Sequence, residues 1–193
     1  AELEAALHSL YGSYERAYRH WQKALAPLDE PPPVFIVVCP NTAVSKLVHD
    51  WIAGTEITRD DGTTLYVPGN LPLFANSDPD SAAAHPKPRT ILVDSAQLES
   101  GESMKKDFKD AAAAEIDAFK AEFRLRNPGA DADSLTDEDL LREVMNTVGK
   151  AGKLGEQIRC VVSVSMLTEG WDANTVTHIL GVRAFGTQLL CEQ

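Results

Sequence analysis

The chain has 193 residues, 44% of them apolar and 24% charged, the composition of a globular protein with room for one good core, so one main domain with appendages is expected. No run approaches the apolar length of a membrane span and the N-terminal stretch lacks the basic-then-apolar pattern of a signal peptide, so a cytoplasmic protein without membrane contact is expected. A formal net charge of −11 weighs against gripping nucleic acid by bulk electrostatics, though not against local contacts through backbone amides and hydroxyls.

Between Glu2 and Ala26, residues Leu3, Leu7, Leu10, Tyr14, Ala17 and Trp21 recur at four- and three-residue steps, one apolar face of a helix. Tyr11, Tyr14, Tyr18 and Trp21 offer a base-stacking platform as a rival reading, but helical spacing favours core packing. The run Pro27-Leu28-Asp29-Glu30-Pro31-Pro32-Pro33 cannot continue a helix and reads as a stiff connector. Residues 1–32 are therefore taken as helix and connector, and 33–193 as the main domain.

Val34 to Cys39 reads as a buried strand, and Asn41 with Thr42 as the cap of a helix reaching about Trp51, with Val44, Leu47, Val48 and Trp51 on one face. A strand that runs into a helix N-terminus can bind a phosphate, and plain capping accounts for the same residues equally well. Gly54 to Pro88 is rich in Gly, Pro, Asp and Ser and reads as a surface insertion, with a hairpin signal at Asp60-Asp61-Gly62 followed by a long irregular segment. His85 is a lone histidine there, so no metal site is expected.

Thr90 to Asp94 reads as a third strand. Asp94 has the position of a Walker B carboxylate, but no G-x-x-x-x-G-K-[ST] loop precedes it, so it is taken as a turn or cap residue. Phe108, Ala112, Ile116, Phe119 and Phe123 form a helical stripe, while Lys105, Lys106, Lys109 and Lys120 alternate with Asp107, Asp110, Glu115 and Asp117. Mixed signs make that a solvated face. After Asn127-Pro128-Gly129, Thr136 and Asp139 have capping-box spacing ahead of Leu140, Leu141, Val144, Met145 and Val148, and Gly149 ends the helix. The glycine-rich Lys150 to Gly155 follows a helix instead of a strand, so it reads as a turn and not a phosphate loop. Cys39, Cys160 and Cys191 lack metal-ligand spacing, and two of them lie within apolar strand runs, so small buried thiols are expected in preference to a zinc site or a disulfide.

The stretch Ile158 to Val182 organises the rest. Val161, Val162, Val164, Met166 and Leu167 form one apolar run, Val176, Thr177, Ile179, Leu180 and Val182 another, and between them lies Thr168-Glu169-Gly170-Trp171-Asp172. Strands without polar alternation are covered on both faces, as in a parallel sheet, and ligands of such sheets collect at the strands' carboxyl ends. On residue chemistry alone this is a candidate ligand loop, with an ordinary turn as the alternative.

The run Val164 to Asp172 resembles motif V of superfamily 2 helicases, and more narrowly the motor (Res) subunit of type III restriction enzymes and their DEAD/DEAH-type relatives. Phe185 to Gln193 is similar to the approach to motif VI, and Pro33 to Thr42 to motif IV, so the likeness runs from about Pro33 to Gln193 in the family's order. The resemblance implies an α/β fold: a RecA-like three-layer domain with a mainly parallel sheet, plus the N-terminal amphipathic helix and the loop-rich insertion at about 54–88. It implies a second motor lobe, whose parent is an ATP-dependent DNA helicase or translocase working with ATP and Mg²⁺, with or without an endonuclease domain. Implied partners are DNA, the first RecA-like lobe and a modification subunit.

By the same resemblance, Asn41, Thr42, Ser45, Thr168 and Gly170 would contact the nucleic-acid backbone, Glu169 and Asp172 would couple to nucleotide, and Gln193 would open motif VI. The family's motif VI arginines fall beyond Gln193 and Arg183 does not match them, so no catalytic residue is assigned, no tightly held cofactor is expected, and this chain alone is not expected to turn over ATP. The rival reading is a non-catalytic RecA-like module whose acidic surface and N-terminal helix dock a protein. A small-molecule α/β enzyme finds no nucleophile and base at recognisable spacing.

Overall fold

Apolar runs at Val34, Thr90, Cys160 and Val176 each open a strand in the computed structural model of the chain, which describes residues 2–78, 80, 85, 87–93, 109–110, 112–164, 176–182 and 189–192. The order is α1 (Glu2–His20), β1 (Val34–Cys39), α2 (Thr42–Ala53), β2 (Gly54–Thr58), β3 (Thr64–Pro68), β4 (Thr90–Val93), α3 (Ala113–Arg126), α4 (Asp137–Asn146), β5 (Cys160–Val164), β6 (Val176–Val182) and β7 (Leu189–Glu192). One sheet has the order β4-β5-β1-β6-β7. Its first four strands are parallel and β7 runs antiparallel to β6. The fold is thus α/β with a mainly parallel sheet, as the unalternated strands predict.

The two faces of β1 feed two cores. Phe35, Val37 and Cys39 join Cys160, Val162 and Leu180 under α1 and α2, whereas Val34 and Ile36 join Val93 and Val161 over α4, with Ile116 and Phe119 of α3 alongside. From β1 the chain crosses by way of α2 to β4, two places away, and returns past α3 and α4 on the other face to β5. Reversing both direction and face preserves the hand of the crossover, as uniform handedness requires.

The helix ahead of the proline connector packs on the sheet. Leu7, Tyr11, Tyr14 and Tyr18 are its buried residues, so the buried stripe is centred on the tyrosines, with Leu3, Leu10 and Trp21 at its margins. The tyrosines are core residues, not a stacking platform. Tyr14 donates to the Pro33 carbonyl at 2.9 Å and the Leu73 N–H donates to the Tyr11 hydroxyl at 3.1 Å.

On α2 the inward positions are Ser45, Val48, Ile52 and Ala53, and Leu47 is 71% exposed, so this face is also rotated from the expected one. The hairpin appears where Asp60-Asp61-Gly62 places it, closed by Arg59 N–H to Thr63 O at 2.7 Å and with Gly62 at φ 83°. The insertion is more than surface, because Leu71 and Phe74 are fully buried in the α1-side core. Its backbone also closes the end of α2: Asn70, Leu71 and Asn76 N–H groups donate to the carbonyls of Trp51, Ile52 and Ala53, satisfying groups a helix end leaves open. The capping box of α4 forms between Thr136 and Asp139. Residues Asp94 and Phe108, and the side chains of Leu141 and Cys191, lie outside the described set. β7 has no counterpart among the expected elements, since its segment reads in sequence as the approach to a motif and not as a strand.

Candidate functional site

Parallel strands deliver their carboxyl ends to one edge. The register sets Cys39 opposite Val164, and Val93 opposite Ser163, so β1, β4 and β5 end side by side. From β1 the chain turns through Pro40 and Asn41 straight into α2. Asn41 is extended (φ −157°, ψ 169°), and its side-chain oxygen accepts the Val44 N–H at 2.9 Å while its carbonyl accepts the Ser45 N–H at 3.0 Å. The start of α2 therefore presents the positive end of the helix dipole at this edge.

The three described site residues play distinct parts. Asn41 and Thr42 are exposed. Ser45 is fully buried and donates back to the Thr42 carbonyl at 2.8 Å, so its hydroxyl is used inside the turn. Capping by Asn41 and packing by Ser45 explain both residues locally; the fold adds their position, next to the strand end from which the chain proceeds to Thr168. Thr168, Glu169, Gly170, Asp172 and Gln193 lie outside the described residues. β5 and β6, which bracket Thr168 to Asp172 in sequence, flank β1 on either side.

The opposite, amino edge holds features that sequence reasoning missed. A half-open cleft of about 720 Å³ is lined by Tyr18, Trp21, Pro31, Pro32, Lys150 and Arg159 among others. The Arg159 guanidinium lies over the Tyr18 ring, 4.7 Å from its centroid, and donates to the Leu73 carbonyl at 3.0 Å. Trp21 Nε1 donates to the Glu30 carbonyl at 2.7 Å, fixing the connector that forms the cleft's wall. Only the aromatic spacing of α1 could have pointed here, because the other walls come from distant parts of the chain.

No group of three or more His, Cys, Asp or Glu residues able to hold a metal occurs among the described residues. Cys39 and Cys160 are buried free thiols, and burial pushes Cys39 up to about 12 and raises Cys160 as well. Neither is poised as a nucleophile. No helix among the described residues is long and apolar enough to cross a membrane. No family model matches the sequence, and no curated protein or solved structure matches it.

Proposed function

We propose that the chain is the second RecA-like lobe of a superfamily 2 DNA motor of the type III restriction Res-subunit class. The observation that carries this reading is the pairing of Cys39 with Val164. It brings the motif IV-like turn at Asn41 and Thr42 next to the end of β5, the strand from which the chain runs on into the motif V-like residues. In this reading Asn41 and Thr42, with Thr168 and Gly170, hold a nucleic-acid strand by its backbone, which needs no basic surface. Glu169, Asp172 and Gln193 face the cleft shared with the first lobe.

Binding Mg²⁺–ATP by its phosphates calls for a phosphate-binding loop, and the sequence has no G-x-x-x-x-G-K-[ST]. In the proposal that loop belongs to the first lobe, and this chain contributes backbone contacts to nucleic acid. The second reading, a non-catalytic interaction module, draws on the β2–β3 hairpin, where Ile57, Leu65 and Val67 are exposed by 48%, 42% and 37% on one face. Localisation in the cytoplasm and a modification subunit as partner remain parts of the motor reading.

The test is DNA-stimulated ATP turnover of this chain, alone and joined both to a first lobe carrying a phosphate loop and to a segment supplying the motif VI arginines. Turnover only in the joined protein, abolished by Asp172→Ala with folding unchanged, is expected. Turnover in the joined protein that ignores Asp172→Ala, or none in either form, overturns the motor reading in favour of the interaction module.

A further inference from the structure

Two arginines stand side by side on the amino edge. β4 and β5 are neighbours, and the Arg89 carbonyl, one residue ahead of β4, accepts the N–H groups of Arg159 and Cys160 at 2.8 and 3.1 Å. Both side chains are half-buried, yet no ion pair joins either to a carboxylate among the described residues. Burial and the charge of Arg159 together lower the Arg89 pKa, with Tyr18 and Asp78 pulling the other way. In a chain of net charge −11, two partly desolvated like charges held close together repel one another, and the nearby Asp78 offsets only part of that repulsion.

His85 completes the group. Its Nε2 is buried and has no hydrogen-bond partner, the kind of orphan that calls for an explanation. Its ordinary pKa is lowered by burial, then by Arg89 and Arg159, against the pull of Asp78. One residue holds the arrangement: the Asn76 carbonyl accepts the His85 N–H at 2.7 Å, and the Asn76 side-chain oxygen accepts the Arg89 and Thr90 N–H groups at 2.8 and 2.9 Å. Asn76 in turn donates through Nδ2 to the Thr90 carbonyl at 2.9 Å and through its N–H to the Ala53 carbonyl at 3.0 Å. The backbone positions of His85 and Arg89 are thus set by the fold before any ligand arrives.

We propose that Arg89, Arg159 and His85 form a binding site for a phosphate-type oxyanion on the amino edge of the sheet, opposite the strand-end loops. Two guanidiniums and an imidazole offer several N–H donors, the chemistry that suits an oxyanion, and charge-assisted bonds of this type are the strong ones. A bound phosphate compensates the paired arginines and gives His85 Nε2 an acceptor once that nitrogen carries a proton. The same chemistry is available from a free ion or from the phosphate of a nucleotide. This site is independent of the motor reading, which uses the other edge.

The experiment is calorimetric titration of the 193-residue chain with inorganic phosphate and pyrophosphate, against chloride at equal ionic strength, followed by AMP and a short 5′-phosphorylated single strand. Saturable phosphate binding is expected, weakened about tenfold or more by Arg89→Gln, the loss expected when one charge-assisted contact is removed. Arg159→Gln also disturbs the Leu73 and Tyr18 contacts, so the second readout uses the unaltered protein: the ¹⁵N resonance of His85 Nε2 moves on phosphate addition. Tighter binding of AMP or the strand assigns a nucleotide-borne phosphate, and equal or weaker binding assigns the free ion. Absence of saturation with every phosphate, or full affinity in a folded Arg89→Gln protein, overturns the proposal.

Discussion

Replacing Tyr14 tests whether α1 belongs to the core or merely rests on it. Its ring is fully buried, with Phe74 at 4.7 Å, His178 at 5.5 Å and Phe35 at 6.0 Å between centroids, and its hydroxyl donates to the buried Pro33 carbonyl. Tyr14→Phe keeps the packing and orphans that carbonyl, a cost of about 1–3 kcal/mol. Tyr14→Ala also removes the ring, and large-to-small changes of this kind cost about 3–5 kcal/mol. At about 2–4 °C per kcal/mol for a domain of this size, the midpoint should fall by about 2–12 °C for Phe and by at least about 6 °C for Ala. Urea unfolding with an unchanged m-value is the assay. A loss below about 1 kcal/mol in Tyr14→Ala, well short of the usual large-to-small cost, would show that α1 is a dispensable appendage and that the sheet's face is stable without it.

Gly54→Ala should cost more than about 1 kcal/mol in the same urea assay, because Gly54 has φ 91° and a Cβ there would meet Tyr66 Oη at 2.5 Å and Val67 O at 2.6 Å; a neutral result refutes the close approach of β2 and β3. Cys39 and Cys160 should resist iodoacetamide at about pH 8 in the native protein and react in urea, read by peptide mass mapping, since burial raises both thiols. Burial lowers the pKa values of His49 and His178, so as pH falls below the ordinary histidine value of about 6.5 the unfolded chain binds protons that the native chain refuses. Stability should therefore fall from about pH 7 toward about pH 5, and His178→Gln should flatten that fall. Glu143, whose carboxyl burial pushes up, works in the opposite direction equally in both proteins, so identical slopes would refute the assignment to His178.

The strands were legible because burial on both faces removes polar alternation, and a run such as Val34 to Val38 leaves no other economical reading. The α4 cap was legible because Thr136 and Asp139 form it within one turn. Faces of helices were less so. Tyrosine satisfies both a wet and a dry position, and what decides is a partner far along the chain: Pro33 for Tyr14 and Leu73 for Tyr11. Phe74 looks like loop sequence because glycine and proline dominate its neighbourhood, yet one anchored ring suffices to bind a loop to a core. The strand-end turn was readable as a cap, but its place beside β5 came only from the register.

Net charge and local charge answer different questions, and this chain separates them. A surplus of carboxylates sets the long-range field and opposes any polyanion approaching from afar, but within a few ångströms the nearest groups dominate and screening shortens the reach of the rest. Strand pairing determines which groups are nearest. Arg89 and Arg159 are unremarkable in sequence, each simply the residue before an apolar run, and become neighbours only because β4 and β5 pair in parallel with Thr90 opposite Cys160. The same parallel rule that gathers the carboxyl ends at one edge also gathers the residues preceding the strands at the other. A doubly covered sheet therefore builds two polar edges from one set of strand boundaries, and sequence spacing exposes neither until the strand order is known.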